Sequence, residues 1–216
     1  MLAALFVACG ESVDTFTPEQ LGSALLTTTD LDADTGLTWN ETQRDTFDTR
    51  EPENPSIDPS LWCAEAEGDE LATLAGDSGA DVELRIGTDE TPFIIRQQAW
   101  ANDDVSEYFS RLSDAVETCA GATWTDGEGN SYSLESIPDF VDIGSESVTW
   151  KVTITISDSS TGDSTIAFTQ QTAARFGGVM MLVQSGAMMT AGPEASGPNS
   201  ALIVRAAGDK MSALTN

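Results

Sequence analysis

The sequence contains no histidine, which excludes every mechanism that needs an imidazole base. Catalysis of the Ser-His-Asp and Cys-His types depends on that base to activate the hydroxyl or the thiol. The absence also removes the commonest metal ligand in proteins. Any catalysis by this chain would therefore have to use carboxylates, tyrosine, lysine or a thiol.

Positive charge is scarce as well. Nine basic residues, of which Lys151 and Lys210 are the two lysines, stand against 36 acidic residues, and the formal net charge is −27. A surface this negative repels phosphate backbones, so nucleic acid is not expected as a partner. We interpret the acidity as a feature that keeps an envelope protein soluble. The alternative is that it captures cations or basic partners.

Apart from the first residues, the sequence has no apolar stretch that could span a bilayer. The chain opens with a short apolar run that ends at Ala8-Cys9 and is followed at once by polar residues. This pattern resembles the end of a bacterial lipoprotein signal peptide, in which the cysteine is diacylated and becomes the new N-terminus. We predict that residues 1–8 are the signal peptide remnant, that Cys9 is lipidated and that residues 9–16 are a tether. The membrane is then a partner through the lipid anchor, on the extracytoplasmic face; the alternative is an apolar segment with a buried cysteine.

Cys63 and Cys119 are the remaining cysteines. If Cys9 carries lipid, they form an even pair in an oxidising compartment, and we predict a disulfide between them. In the chain-entropy model, a disulfide that closes such a long loop stabilises the folded state by about 4 kcal/mol. The alternative is two free thiols. Neither cysteine has a CxxC partner, so the sequence predicts no metal site, and no cofactor is expected.

Capping residues and hydrophobic periodicity predict the helices. Thr17-Pro18-Glu19-Gln20 is typical of a helix start, with a capping box and a proline in the first turn. A short helix is predicted from Pro59 to Cys63. Apolar residues recur at helical spacing from Val105 to Cys119 and from Ile203 to Leu214. Between Asp30 and Ser60 the pattern fades, which indicates a long acidic loop.

Alternating apolar and polar residues predict strands in the rest of the chain. These are Val82–Ile86, Phe93–Ala99, a hairpin over Trp124–Leu134, Val148–Ile156, Thr165–Phe176, and Val179–Gln184, which is apolar on both faces and expected to be central. This order of elements predicts a single α+β domain over residues 17–216. We expect an antiparallel sheet with helices packed on one face and one disulfide.

The acidic stretch contains a pattern similar to a calcium loop. Asp30, Asp32 and Asp34, with Glu41 at the twelfth position, have the spacing of EF-hand ligands, but Thr35 stands where the loop requires glycine. We therefore interpret the segment as a solvated acidic loop, with weak calcium binding as the alternative.

Tryptophan side chains could provide stacking surfaces for a ligand. Trp150 alternates with apolar residues, and Trp62 lies beside Cys63, so both are expected in the core. Trp39 and Trp124 lie near predicted loops and are the candidate ligand-binding residues.

Several short motifs between Trp62 and Trp124 resemble one known family. They are a cysteine after the first helices, the strand Ile95–Trp100, the helix entry Asn102-Asp103-Asp104, and Glu117–Gly121 around Cys119; upstream, Leu25–Leu31 is similar to an "LLTxxDL" opening. Together they resemble the extracellular sensor domains of PknH-type mycobacterial kinases and related actinobacterial lipoproteins. The resemblance implies an antiparallel sheet with flanking helices, a disulfide from the long helix, and a ligand-binding cleft. The kinase sensor domains have two disulfides, whereas this chain can form one.

These observations favour a non-catalytic envelope lipoprotein that binds a small molecule or another envelope protein. The alternative is a carboxylate-based envelope hydrolase or glycan-processing protein. The abundance of acidic residues means that no particular pair of carboxylates stands out in the sequence.

Overall fold

A computed structural model of the chain describes residues 16–47, 78–87, 92–101, 104–125, 129–157, 164–190 and 198–216. The helices in these ranges are α1 (Pro18–Ser23), α2 (Thr28–Thr35), α3 (Val105–Cys119) and α4 (Ser200–Thr215). The strands are β1 (Asn40–Phe47), β2 (Ser78–Ile86), β3 (Phe93–Ala101), β4 (Thr123–Thr125), β5 (Ser131–Ser136), β6 (Glu146–Ser157), β7 (Ser164–Phe176) and β8 (Val179–Thr190). They form one sheet in the order β1-β2-β3-β8-β7-β6-β5-β4. Every neighbouring pair is antiparallel, so the predicted α+β class with an antiparallel sheet is confirmed.

The first helix begins as the sequence predicts. The backbone N–H of Gln20 donates to the hydroxyl of Thr17 at 3.3 Å, and the Thr17 N–H donates to the side-chain oxygen of Gln20 at 2.8 Å. These two bonds satisfy amides that a helix N-terminus leaves without intrahelical partners. Pro18 occupies the first turn, where its missing N–H costs nothing.

Strand β8 lies in the middle of the sheet, as its apolar character on both faces predicts. Val179, Met181 and Val183 belong to one apolar cluster, whereas Met180 and Leu182 belong to another. Because successive side chains of a strand point to opposite faces, the sheet carries a core on each side. The expectation of helices on one face is therefore wrong.

The two cores use different helices. Apolar residues of α4 and of the N-terminal helical segment, such as Ile203 and Leu25, belong to the first cluster. The second cluster contains the buried stripe of α3, formed by Val105, Tyr108, Phe109, Leu112, Ala115, Val116 and Cys119. The stripe matches the prediction for this helix. On its outer side, Glu107 and Arg111 form an ion pair of 2.7 Å.

The acidic stretch after Asp30 is more regular than the sequence indicates. It begins inside α2, which ends at Gly36 with a φ of 67°, and continues into β1. Strand β1 lies at the edge of the sheet, and most of its side chains are exposed. An edge strand of this kind needs no apolar alternation, which explains why the sequence pattern fades there.

The predicted short helix from Pro59 to Cys63 lies outside the described residues, as do residues 1–15. No helix within the described ranges combines the length and the apolar character needed to cross a membrane.

Candidate functional site

Helix α3 covers only part of the second face of the sheet. Its core partners on that face include Trp100, Ala173, Met180 and Leu182. Beyond them, strands β2, β3, β8 and β7 form the floor of an open groove with a volume of about 280 Å³. Its principal lining residues are Glu83, Ile94, Arg96, Thr169, Gln184 and Gly186.

A polar row crosses these four strands. Glu83 is paired in register with Arg96, Arg96 with Gln184, and Gln184 with Gln171. Residues directly opposite each other in antiparallel strands share a face, so the four side chains form one continuous row. The row combines a carboxylate, a guanidinium and two amides on one face of the sheet, which marks it as a candidate recognition surface.

Glu83 is the centre of a charged cluster at one end of the row. Its Oε2 accepts a hydrogen bond of 2.9 Å from Nη2 of Arg96, and its Oε1 lies 3.4 Å from Nη2 of Arg85. The hydroxyl of Thr42 donates to the same Oε1 at 2.8 Å. One carboxylate therefore holds two guanidinium groups beside the groove.

The protonation state of Glu83 follows from these contacts. Burial by itself would raise the pKa of this carboxyl, whose side chain is 14% exposed. The hydrogen bonds from Thr42 and Arg96, together with the positive charges of Arg96 and Arg85, outweigh burial, and the net shift of the pKa is downward. Glu83 is thus an anion at neutral pH, and the cluster of one anion and two cations carries a net charge of +1.

The other end of the row is uncharged. Nε2 of Gln184 donates to Oε1 of Gln171 at 3.3 Å, and Gln171 is buried with 1% of its surface exposed. The amide of Gln184 is thereby oriented on the groove floor by a residue that solvent does not reach.

The groove floor is kept open by Gly186. A Cβ on this residue would lie 2.6 Å from the carbonyl oxygen of Phe168 and 3.3 Å from the methyl carbon of Thr169. A larger residue would therefore require β7 to shift. Ile94 and Pro92, with Ala167 across the groove, supply apolar surface around this glycine.

The tryptophans predicted as ligand-binding residues lie away from the groove. Trp39 is 3% exposed; its indole N–H donates to the hydroxyl of Thr35 at 3.0 Å, and its ring meets Phe93 edge-on. Trp124 is half-buried on β4, the far edge strand, where it stacks on Tyr132 with ring centroids 5.6 Å apart. The structure therefore places Trp39 in the core and does not bring the two indoles together.

The cysteines are placed only in part. Cys119 is buried at the C-terminal end of α3, as its position in the apolar stripe predicts. Cys9 and Cys63 lie outside the described residues, so the lipidation of Cys9 and the pairing of Cys63 with Cys119 stay predictions.

Two acidic residues of the calcium-like pattern, Asp30 and Asp32, form hydrogen bonds within the protein. Asp30 accepts hydrogen bonds from the backbone N–H of Thr27 and from Lys210, at 2.7 and 2.8 Å. Asp32 accepts from the backbone N–H of Trp39 at 3.0 Å. The segment is a helix here rather than a solvated loop. Among the described residues, no group of three or more potential ligands is placed to hold a metal ion.

A second cavity, of about 560 Å³, lies beside α3 and contains the side chains that could support hydrolysis. Glu117, Asp139 and Asp142 line it, and all three are exposed to solvent. Carboxyl groups that act as general acids are usually held in apolar surroundings instead. Tyr108 is fully enclosed by α3 and Trp100, and burial raises its pKa, so it is unsuited to proton transfer at neutral pH.

The groove residues were not among the sequence-based candidates, although the sequence contains a signal for them. Arg96 and Gln184 are polar residues that directly follow apolar runs, Phe93–Ile95 and Val179–Val183, within their strands. A polar residue at such a position must either find a partner or face solvent, and here both residues line an open groove.

No protein-family model matches this sequence, and no curated protein sequence matches it. The fold is similar to that of the extracellular domain of PknH from Mycobacterium tuberculosis, with a TM-score of 0.59 and 14% sequence identity. The similarity covers 94% of this chain and 98% of that domain. The chain therefore has the fold of the PknH extracellular domain, in agreement with the resemblance found in its sequence.

Proposed function

We propose that the protein is a lipid-anchored sensor-like domain at the cell envelope that binds a small molecule in the groove and does not act as an enzyme. The observation that carries this proposal is the groove itself. It is an open concavity in which a charged cluster and an oriented amide adjoin apolar residues. Binding sites for small molecules combine apolar lining with a few placed polar groups in this way.

Two further observations support an extracytoplasmic role. The fold is that of an extracellular domain in a mycobacterial kinase. The Ala8-Cys9 pattern has the features of a lipoprotein signal, and an acidic, histidine-free domain fits a surface-exposed binding module. On this proposal Cys9 ties the domain to the membrane, and the groove faces the envelope space.

The proposal is tested by filling the groove. Thr169→Trp places a large side chain in the lining, whereas Thr155→Trp changes a threonine of β6 that does not line the groove. Binding of a mixture of small acidic, neutral and basic aromatic compounds to the full chain in detergent is followed by ligand-observed NMR. We expect wild type and Thr155→Trp to bind part of the mixture and Thr169→Trp to lose that binding. The proposal fails if wild type binds nothing or if both variants bind alike.

The second candidate function is carboxylate-based hydrolysis in the cavity beside α3. The presence of Glu117, Asp139 and Asp142 around one space favours it. If it is correct, the protein should release sugar from envelope glycans, and Glu117→Gln or Asp139→Asn should abolish that release. We expect no release from wild type at any pH.

A further inference from the structure

We infer that the groove selects a small monoanion, a carboxylate on a compact apolar body, with Arg96 as the residue that receives the carboxylate. This inference rests on the proposed function, because it assigns the chemical class of ligand to the same groove.

The first argument is charge. Arg44, Arg111, Arg175 and Lys210 each form an ion pair with a carboxylate that serves no second cation in the described part of the chain. Arg85 and Arg96, by contrast, share Glu83. In a chain of net charge −27, the described cluster of Glu83, Arg85 and Arg96 therefore has one more positive than negative charge.

A second carboxylate on this face of β2 lies outside the described lining of the groove. Asp81 lies two residues before Glu83, on the same face of β2, but it is buried and is not part of the groove lining. It also has a polar contact of its own. The positive charge that a ligand meets in the groove is therefore that of Arg96.

The second argument is the set of unused donors. A guanidinium has five N–H donors in a planar fork, and within the described residues Arg96 uses its Nη2 in one hydrogen bond to Glu83. Its side chain is 43% exposed and lines the groove, which leaves donors for a ligand. A planar carboxylate matches that fork better than a spherical anion does.

The third argument is that the groove lining combines a few charged residues with apolar ones. Among the described lining residues, only Glu83 and Arg96 are charged, and Pro92, Ile94 and Gly186 leave apolar surface beside the guanidinium. The volume of about 280 Å³ lies just below the common range of roughly 300–1,000 Å³ for ligand pockets, so it fits a metabolite-sized molecule. A net charge of +1 matches one negative charge and leaves a dianion undercompensated in an acidic protein.

The test compares ligands that share one apolar body and differ in charge. Phenylacetate, phenylacetamide, phenethylamine and benzyl phosphate are titrated into the full chain in detergent, with dissociation constants from calorimetry. We expect phenylacetate to bind at least tenfold more tightly than the other three. Arg96→Gln should remove that difference, and Arg96→Lys, which keeps the charge but loses the fork, should restore only part of it.

Arg111→Gln is the matched control, because Arg111 is also 43% exposed and paired with one glutamate but lies on α3 outside the groove. It should leave the preference for phenylacetate unchanged, and thermal unfolding verifies that each variant is folded. Equal binding of phenylacetate and phenylacetamide, tighter binding of benzyl phosphate, or an unaltered preference in Arg96→Gln would overturn the inference. If these ligands still bind in the groove, as judged by their loss in Thr169→Trp, the proposed function survives. If none of the four binds, the inference fails, and the compound mixture above decides the proposed function separately.

Discussion

The side-chain oxygen of Gln97 on β3 accepts a hydrogen bond of 2.6 Å from the backbone N–H of Leu26, in the turn between α1 and α2. Both residues are fully buried, and Nε2 of Gln97 lies 3.3 Å from the sulfur of Met181. This side chain therefore provides the acceptor for a buried main-chain amide. It also links the N-terminal helical segment to the centre of the sheet.

Replacing Gln97 with leucine should destabilise the fold although it adds an apolar side chain to the core. The Leu26 amide would lose its acceptor, and an unsatisfied buried donor costs about 1–3 kcal/mol. Urea unfolding gives the change in free energy. Gln43→Leu on the exposed edge strand is the matched control, because within the described residues that amide bonds to the exposed carboxylate of Asp45 alone. Equal stabilities of the two variants would contradict the role assigned to Gln97.

The pair formed by Asp30 and Lys210 should make stability depend on acidity. Burial by itself would raise the pKa of Asp30, but hydrogen bonds from Lys210 and Thr27 outweigh it and lower the pKa below its ordinary value. Between that lower value and about pH 4, the unfolded chain binds more protons than the folded one. The stabilising contribution is thus complete above about pH 4 and is lost as the pH falls through the folded-state pKa.

Asp30→Asn should flatten the fall in stability below about pH 4, as measured by denaturant unfolding at a series of pH values. Glu19→Gln is the control, since Glu19 forms no ion pair with the described residues. An acid profile of Asp30→Asn that coincides with wild type would show that the pair does not govern the low-pH limit.

A disulfide bond between Cys63 and Cys119 should stabilise the folded protein by several kilocalories per mole. Replacing both with alanine leaves no stray thiol and removes a constraint of about 4 kcal/mol from the unfolded chain. For a domain of this size, the melting temperature should fall by about 10 °C. Treatment of wild type with a reductant is the parallel measurement and should give a similar fall. A double variant as stable as the oxidised wild type would show that the two cysteines are not paired.

Lipidation of Cys9 should decide where the protein partitions. In a host that lipidates exported proteins, the full chain should enter the detergent phase, and Cys9→Ala should move it to the aqueous phase. Ser12→Ala, a small change within the predicted tether, should leave partitioning unchanged. Detergent-phase recovery of Cys9→Ala at the wild-type level would refute the anchor.

Much of the fold could be predicted from the sequence, because most elements bury one regular stripe. The helix from Val105 to Cys119 and the strands around Trp150 follow such stripes, and the structure confirms them. Strand β1 was not predicted, because an exposed edge strand carries no apolar alternation. The segment of α2 was missed because its sequence has one leucine, Leu31, among polar residues, and its start depends on Thr27 and Asp30 rather than on periodicity.

The groove could not be predicted as a unit, for a geometric reason. Glu83, Arg96 and Gln184 meet because β3 pairs with β8, a partner far along the chain whose register no local pattern specifies. The burial of Trp39 could not be predicted from the sequence for a related reason. Proximity to an irregular stretch suggests exposure, but the tertiary contacts of Trp39 with Phe93 and Thr35 bury it.

The central position of β8 also determines when the sheet can be completed during folding. β8 is the last of the described strands, yet it lies between β3 and β7, so that Ala101 pairs with Val179 only after the long stretch of chain between them is present. Until then, β3 has an unpaired edge, and both apolar layers are incomplete. Pairings between distant parts of a chain fold slowly and leave intermediates prone to aggregation. A nascent chain that stops before Val179 should therefore be unable to fold, and the domain should mature only after its C-terminal residues have emerged.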